Sequence, residues 1–113
     1  MTTDESPTSD NEVFLRGRLA DGAEVRTLPS GDELCVFRMT VPRPSGERGR
    51  VDSIDCSTSG ARPRRTVLAA EPGQTVEIRG SLRRRFWRGG AGLASRYEVQ
   101  VSSAKVIRRR TDA

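Results

Sequence analysis

The stretch that most constrains the fold runs from Thr75 to Trp87. Thr75-Val76-Glu77-Ile78-Arg79 alternates β-branched and charged residues, and Gly80-Ser81-Leu82-Arg83-Arg84-Arg85-Phe86-Trp87-Arg88 carries it on, so the whole reads as one long strand. Successive side chains of a strand point to opposite faces, which puts Arg83, Arg85 and Trp87 together. Leu82 and Phe86 fall on the other face with Val76 and Ile78. One face therefore carries two cations and the only tryptophan, and the opposite face is apolar. Arginine neutralises phosphate and an aromatic ring stacks on a base, a combination suited to single-stranded nucleic acid. The same pattern fits a solvated edge strand whose arginines keep neighbouring sheets apart.

The rest of the chain weighs on that choice through its charge. The 113 residues suffice for one domain with a modest core, and aromatics make up only 4%, so the core is mostly aliphatic. All 20 Lys and Arg lie between residues 13 and 110, where only 10 of the 15 acids are found. The folded body is thus more basic than the net charge of +5 suggests and favours a polyanionic partner. A single lysine, Lys105, fits arginine-rich codon usage, but codon bias does not explain the excess of cations.

Several function classes are excluded. There is no histidine for acid–base work and no Gly-rich phosphate loop ahead of a helix. Asp52 and Asp55, three apart on a strand, point to opposite faces, so they do not pair as metal ligands. Cys35 and Cys56 lack both a CxxC companion and a base, which argues against zinc and against a thiol nucleophile. They read as reduced core thiols, with a bridge within or between subunits left open. No cofactor, metal or enzymatic activity is expected. No apolar run spans a membrane and no signal pattern opens the chain, so a cytoplasmic protein is expected.

In chain order, residues 1–10 are acidic and without periodicity and read as a disordered tail. Val13 to Leu19 alternates as a strand, with Gly17 marking a bend, and Ala23 to Leu28 continues it beyond the Asp21-Gly22 turn. Leu34 to Val41 forms a second strand, with Cys35, Phe37, Met39 and Val41 on one face. Residues 42–50 form a basic loop, and Val51 to Thr58 a third strand with Ile54 and Cys56 inward. Thr66 to Glu71 makes one or two helical turns stopped by Pro72-Gly73. After the long fourth strand come a flexible loop at 88–92, a fifth strand over Arg96 to Val101, and a further apolar pair at Val106 and Ile107. Three strands, a short helical connection and two strands predict an all-β OB-fold, a five-stranded Greek-key barrel with its helix between strands 3 and 4. The domain spans 11–107, followed by a short basic tail at 108–113.

Here the chain resembles the bacterial single-stranded DNA-binding protein family, whose members are OB-folds. Asn11-Glu12-Val13-Phe14-Leu15-Arg16-Gly17-Arg18-Leu19 is similar to the family's first strand. Glu24-Val25-Arg26, Pro29-Ser30-Gly31, Val36-Phe37-Arg38-Met39-Thr40-Val41 and Ile54-Asp55-Cys56 follow in the family's order and spacing. Gly80 to Trp87 and Arg96-Tyr97-Glu98-Val99 match the last two strands. The resemblance implies that Trp87 stacks on a base and that Arg83, Arg85, Arg26 and Arg96 meet the phosphate backbone. Arg18, Arg43 and Arg50 are looser candidates, sharing only a strand or basic-loop location.

Departures from the family accompany the likeness. Pro44 or Ser45, Ser53 and Ser59 stand where members usually place aromatics, and Glu71-Pro72-Gly73 where they often place basic residues. Fewer stacking platforms shift affinity onto arginines and make it salt-sensitive. The ending Arg108-Arg109-Arg110-Thr111-Asp112-Ala113 is unlike the acidic, apolar-tipped tail that in the family recruits replication and repair enzymes. The resemblance therefore implies an accessory, plasmid-type or phage-type paralogue that binds single-stranded DNA in replication, recombination or repair. RNA is a possible ligand on the same chemistry. The alternative is an OB-fold interaction module of the primosomal replication protein type. Pairing of first strands in the family implies a homotetramer here, with a dimer as the fallback.

Overall fold

The computed structural model describes residues 9–44 and 49–107. The acidic tail up to residue 8, the basic-loop positions 45–48 and the basic end from 108 lie outside the described residues. The elements run β1 (Val13–Leu19), β2 (Glu24–Thr27), β3 (Glu33–Pro42), β4 (Val51–Thr58), α1 (Ala61–Ala69), β5 (Thr75–Gly89) and β6 (Gly92–Val106).

The sheet order is β1-β5-β6-β4-β3-β2, and a further β1–β3 pairing at Arg18↔Thr40 and Leu19↔Met39 closes β1, β5, β6, β4 and β3 into a five-stranded barrel. This is the OB-fold expected, with its helix between the third and fourth barrel strands. Residues 24–27 do not extend β1. They form a separate strand, exposed throughout, that lies on β3 through Glu24↔Val36 and Thr27↔Glu33. All neighbours are antiparallel except β4 and β6, which run parallel at Cys56↔Val99 and Ser57↔Gln100.

Two glycines permit the closure. A Cβ on Gly17 would meet the Thr40 carbonyl oxygen at 2.4 Å, at the point where β1 leaves β5 for β3. A Cβ on Gly80 would lie 2.0 Å from the Gln100 carbonyl oxygen, beside the bulge where Arg79 opposes Ser103 but Gly80 opposes Val101. Only a residue without a side chain allows backbones to approach so closely in a strongly coiled barrel.

The core fills as the alternation requires. Leu19, Cys35, Met39, Val67, Val76 and Ile78 are almost fully enclosed, with Phe37, Cys56, Val99 and Val101 around them. Burying an aliphatic side chain of this size contributes about 1.5–3 kcal/mol, so this aliphatic centre carries the fold despite the low aromatic content. Both thiols are free and buried. The helix begins five residues earlier than its apolar pattern predicts. Pro63 falls in the first turn, where its missing N–H has no helical partner to lose, and Pro63, Val67 and Ala70 form the buried stripe against the barrel end. No helix is long and apolar enough to cross a membrane.

Because β4 and β6 run parallel, the β3–β4 and β5–β6 hairpins leave the barrel at the same end. Beyond Gly80 and Val99, β5 and β6 have only each other as neighbours, so residues 82–97 form a free-standing two-stranded ribbon. Its tip is a two-residue turn between Gly89 and Gly92, tighter than the flexible loop expected at 88–92. Its root is fastened by Asn11, whose side chain continues the β1 ladder. The Leu82 N–H donates to Asn11 Oδ1 and Asn11 Nδ2 donates to the Leu82 carbonyl, each at 2.8 Å.

Candidate nucleic-acid interface

The residues that alternation turns away from the core form one continuous face across β2, β3, β4, β6 and the root of the ribbon. The registers Arg26↔Leu34, Glu24↔Val36↔Ser57, Arg38↔Asp55, Thr40↔Ser53, Arg83↔Glu98 and Arg85↔Arg96 put these side chains on the same side. Arg26, Arg38, Asp55 and Arg96 converge on a groove of about 140 Å³ lined also by Asp21, Glu24 and Val36. Trp87 lies further out on the same face of the ribbon, 47% exposed, with the Arg96 guanidinium 5.9 Å from its ring centre. A ring half open to solvent and bordered by a cation can accept a base on its free side.

Two carboxylates of this face are paired with its arginines. Glu98, only 5% exposed, accepts from the Ser57 hydroxyl at 2.5 Å and from Arg85 Nε at 2.7 Å, with Arg96 at 3.9 Å. Asp55 accepts from Arg38 Nε at 3.2 Å and lies 4.0 Å from Arg96. Ser57–Glu98 and Asp55–Arg96 span β4 and β6 where the ladder is short, while Arg38–Asp55 ties β3 to β4 and Arg85–Glu98 ties β5 to β6. They also neutralise part of the charge that phosphate would use. Arg26 and Arg83 have no carboxylate partner among the described residues; Arg83 donates to Gln100 Oε1 at 2.5 Å.

The structure keeps Arg83, Arg85 and Trp87 on one face, as alternation predicts, and adds Arg26 and Arg96, which the resemblance had named, to the same face. Arg18 is exposed at the barrel closure, opposite Thr40. Arg43 and Arg50 stand at the outer end of the β3–β4 hairpin, where the Arg43 N–H donates to the Arg50 carbonyl at 3.0 Å and Arg43 Nε donates to Asp52 at 3.0 Å. Sequence reasoning missed Arg38 as a site residue, although its alternation with Phe37 and Met39 already turned it outward. It also missed Asp55 and Glu98 as counter-charges, because cross-strand neighbours follow from register and not from local pattern.

The opposite face of the ribbon differs from expectation. Leu82 and Phe86 share the parity of Val76 and Ile78 but are 46% and 59% exposed, because the strand has run past everything that covers it. Ser53 and Ser59 are exposed and Pro44 is exposed, so none of these positions supplies a ring.

Burial governs the thiols. It pushes the Cys56 thiol up to about 12, with Asp55 and Glu98 adding to the shift, and pushes Cys35 up against the opposing pull of Arg64. Both are inert structural groups at neutral pH.

No curated protein sequence matches the chain. Among solved structures, a Plasmodium falciparum SSB in complex with ssDNA superposes with a TM-score of 0.68, covering 90% of this chain and 96% of that chain at 18% identity. At that identity the likeness speaks for the fold. The family model described as "Single-strand binding protein family" matches residues 10–108, nearly the whole described chain. With the closed barrel and the basic, tryptophan-bearing face, this places the chain in the single-strand binding protein family.

Proposed function

We propose that the protein binds single-stranded DNA without reading base identity, along the groove face of the barrel and up the ribbon to Trp87. The observation that supports this most is the collection of Arg26, Arg38, Arg83, Arg85 and Arg96 on one face with the half-exposed Trp87. Arginines take the phosphates and Trp87 takes a base. The contacts are assigned to Trp87, Arg83, Arg85, Arg26 and Arg96, with Arg38 added and with Arg18, Arg43 and Arg50 at the margins. Service in replication, recombination or repair, in the cytoplasm, is part of the same proposal. Among the described residues, the edge of β1 from Val13 to Arg16 opposite β5 carries no ladder, which supports pairing with a second copy in a homotetramer or a dimer.

Anisotropy of a labelled oligo-dT, competed with single-stranded, duplex and RNA oligonucleotides, tests this. Displacement by the single strand and not by the duplex is expected. Equal displacement by duplex contradicts it. One observation favours a second reading, an interaction module: Glu98 and Asp55 already occupy three of the arginines. That reading, a module of the primosomal replication protein type with secondary ssDNA or RNA binding, expects oligo-dT binding that is weak or lost on its own while a protein partner is retained.

A further inference from the structure

The reverse face of the ribbon has its own chemistry. On it stand Leu82, Arg84, Phe86 and Arg88 of β5 and Leu93, Ser95, Tyr97 and Val99 of β6, in the registers Arg84↔Tyr97, Phe86↔Ser95 and Arg88↔Leu93. Phe86 is 59% exposed and Tyr97 58%. The Arg84 guanidinium lies between them, 5.1 Å from the Phe86 ring centre and 5.3 Å from that of Tyr97, and donates to Ser95 Oγ at 3.0 Å. Both rings thus touch the same cation while more than half of each stays exposed. No carboxylate stands on this face, and neither Arg84 nor Arg88 has an acidic partner among the described residues.

The contrast with the groove face decides what the surface suits. There, Glu98 and Asp55 offset three arginines beside a single ring. On the reverse face two rings alternate with two uncompensated cations. Exposed rings fit bases, and cations without counter-charges fit phosphates. A purely apolar partner would leave both guanidiniums to be desolvated without a partner. The ribbon is two strands wide, about 5 Å between strand axes, and ends in a two-residue turn, so a chain lying on one face has a short path round to the other.

We propose that the reverse face of the ribbon is a second single-stranded nucleic-acid site, in which bases stack on Phe86 and Tyr97 while Arg84 and Arg88 hold phosphates. The inference rests on the groove-face reading above. The site takes the segment of strand that leaves Trp87, so the ribbon is clasped on both sides and the length occluded per protomer exceeds what the groove alone accounts for.

The test uses the full chain with oligo-dT carrying 5-iodouracil, photocrosslinked and mapped by mass spectrometry, together with the occluded length on poly-dT. Crosslinks at Phe86 or Tyr97 in addition to Trp87 are expected. The F86A/Y97A double variant should shorten the occluded length and weaken a long oligonucleotide on the order of tenfold. Saturating quenching of Trp87 by a short oligonucleotide should not change. The ring-keeping variant F86Y/Y97F should retain the long site, which separates stacking from damage to the ribbon. Arg84→Gln should flatten the slope of log affinity against log salt by about 0.7. Crosslinks confined to Trp87 with an unchanged occluded length overturn the proposal while leaving the groove reading intact. So does a double variant that alters only the mass in light scattering, which assigns the face to a second copy. Failure of the unaltered chain to bind oligo-dT overturns both readings.

Discussion

Glu98 lies 2.7 Å from Arg85 and 3.9 Å from Arg96, nearly enclosed, with the Ser57 hydroxyl completing its shell. A carboxylate so placed does two things at once. It positions the guanidiniums, and it competes with phosphate for them. Glu98→Gln keeps the bond with Ser57 and releases the charge on Arg85. It is expected to tighten oligo-dT binding severalfold at low salt and to steepen the salt dependence by about 0.7 in log–log slope, as one further phosphate contact would. Weaker binding with unchanged slope would mean that positioning outweighs competition. Removing Arg85 instead leaves a buried carboxylate short of its main partner, a change that costs stability as well as affinity.

Cys56 supplies a pH dependence of the fold. Its thiol titrates near 12 in the folded barrel against an ordinary value of 9.0, raised by burial first and then by Asp55 and Glu98. The folded state therefore binds this proton more tightly than the unfolded chain. The resulting stability is complete below pH 9 and is lost as pH rises towards 12. Urea midpoints should fall over that window, and Cys56→Ala should flatten the fall. Parallel declines in both proteins would contradict the assignment. Alkylation at pH 8 should leave both thiols of the folded protein untouched.

At the scale of elements, the ribbon pairs its backbone with no barrel strand and is held to the barrel by side chains, among them Asn11 on Leu82, Arg85 on Ser57 and Arg96 on Asp55. An isolated hairpin is marginal in water, and this one depends on its cross-strand pairs and on Asn11 at its root. Asn11→Ala removes both bonds to Leu82, a local cost of about 1–3 kcal/mol. Amide hydrogen exchange should accelerate across residues 81–98 and stay unchanged at Val76 and Ile78 in the barrel. Uniform protection would show that the ribbon stands without that fastening.

Alternation in β1, β3, β4 and β5 made the barrel, its inward residues and the outward face legible from sequence, down to the bend at Gly17. Four things were not legible. The start of α1 was hidden because Pro63 reads as a breaker unless its place in the first turn is known. The separation of β2 from β1 depends on β3 as a partner. The exposure of Leu82 and Phe86 depends on where β1 and β4 end, which no pattern inside β5 records. The pairing of Arg85 with Glu98 and of Arg38 with Asp55 likewise required the register between strands.

At the scale of the molecule, the two hairpins leave one end of the barrel and the basic face runs between them to Trp87. On the proposed function this face holds a single strand, with phosphates on arginine and a base on that ring. Trp87 is the only tryptophan, so its emission reports one place. The most direct measurement is its fluorescence titration with oligo-dT at low and high salt, with a duplex control. The account predicts strong quenching by the single strand, none by the duplex, and an affinity that falls steeply with salt. Tight binding that leaves the emission of Trp87 unchanged would contradict it.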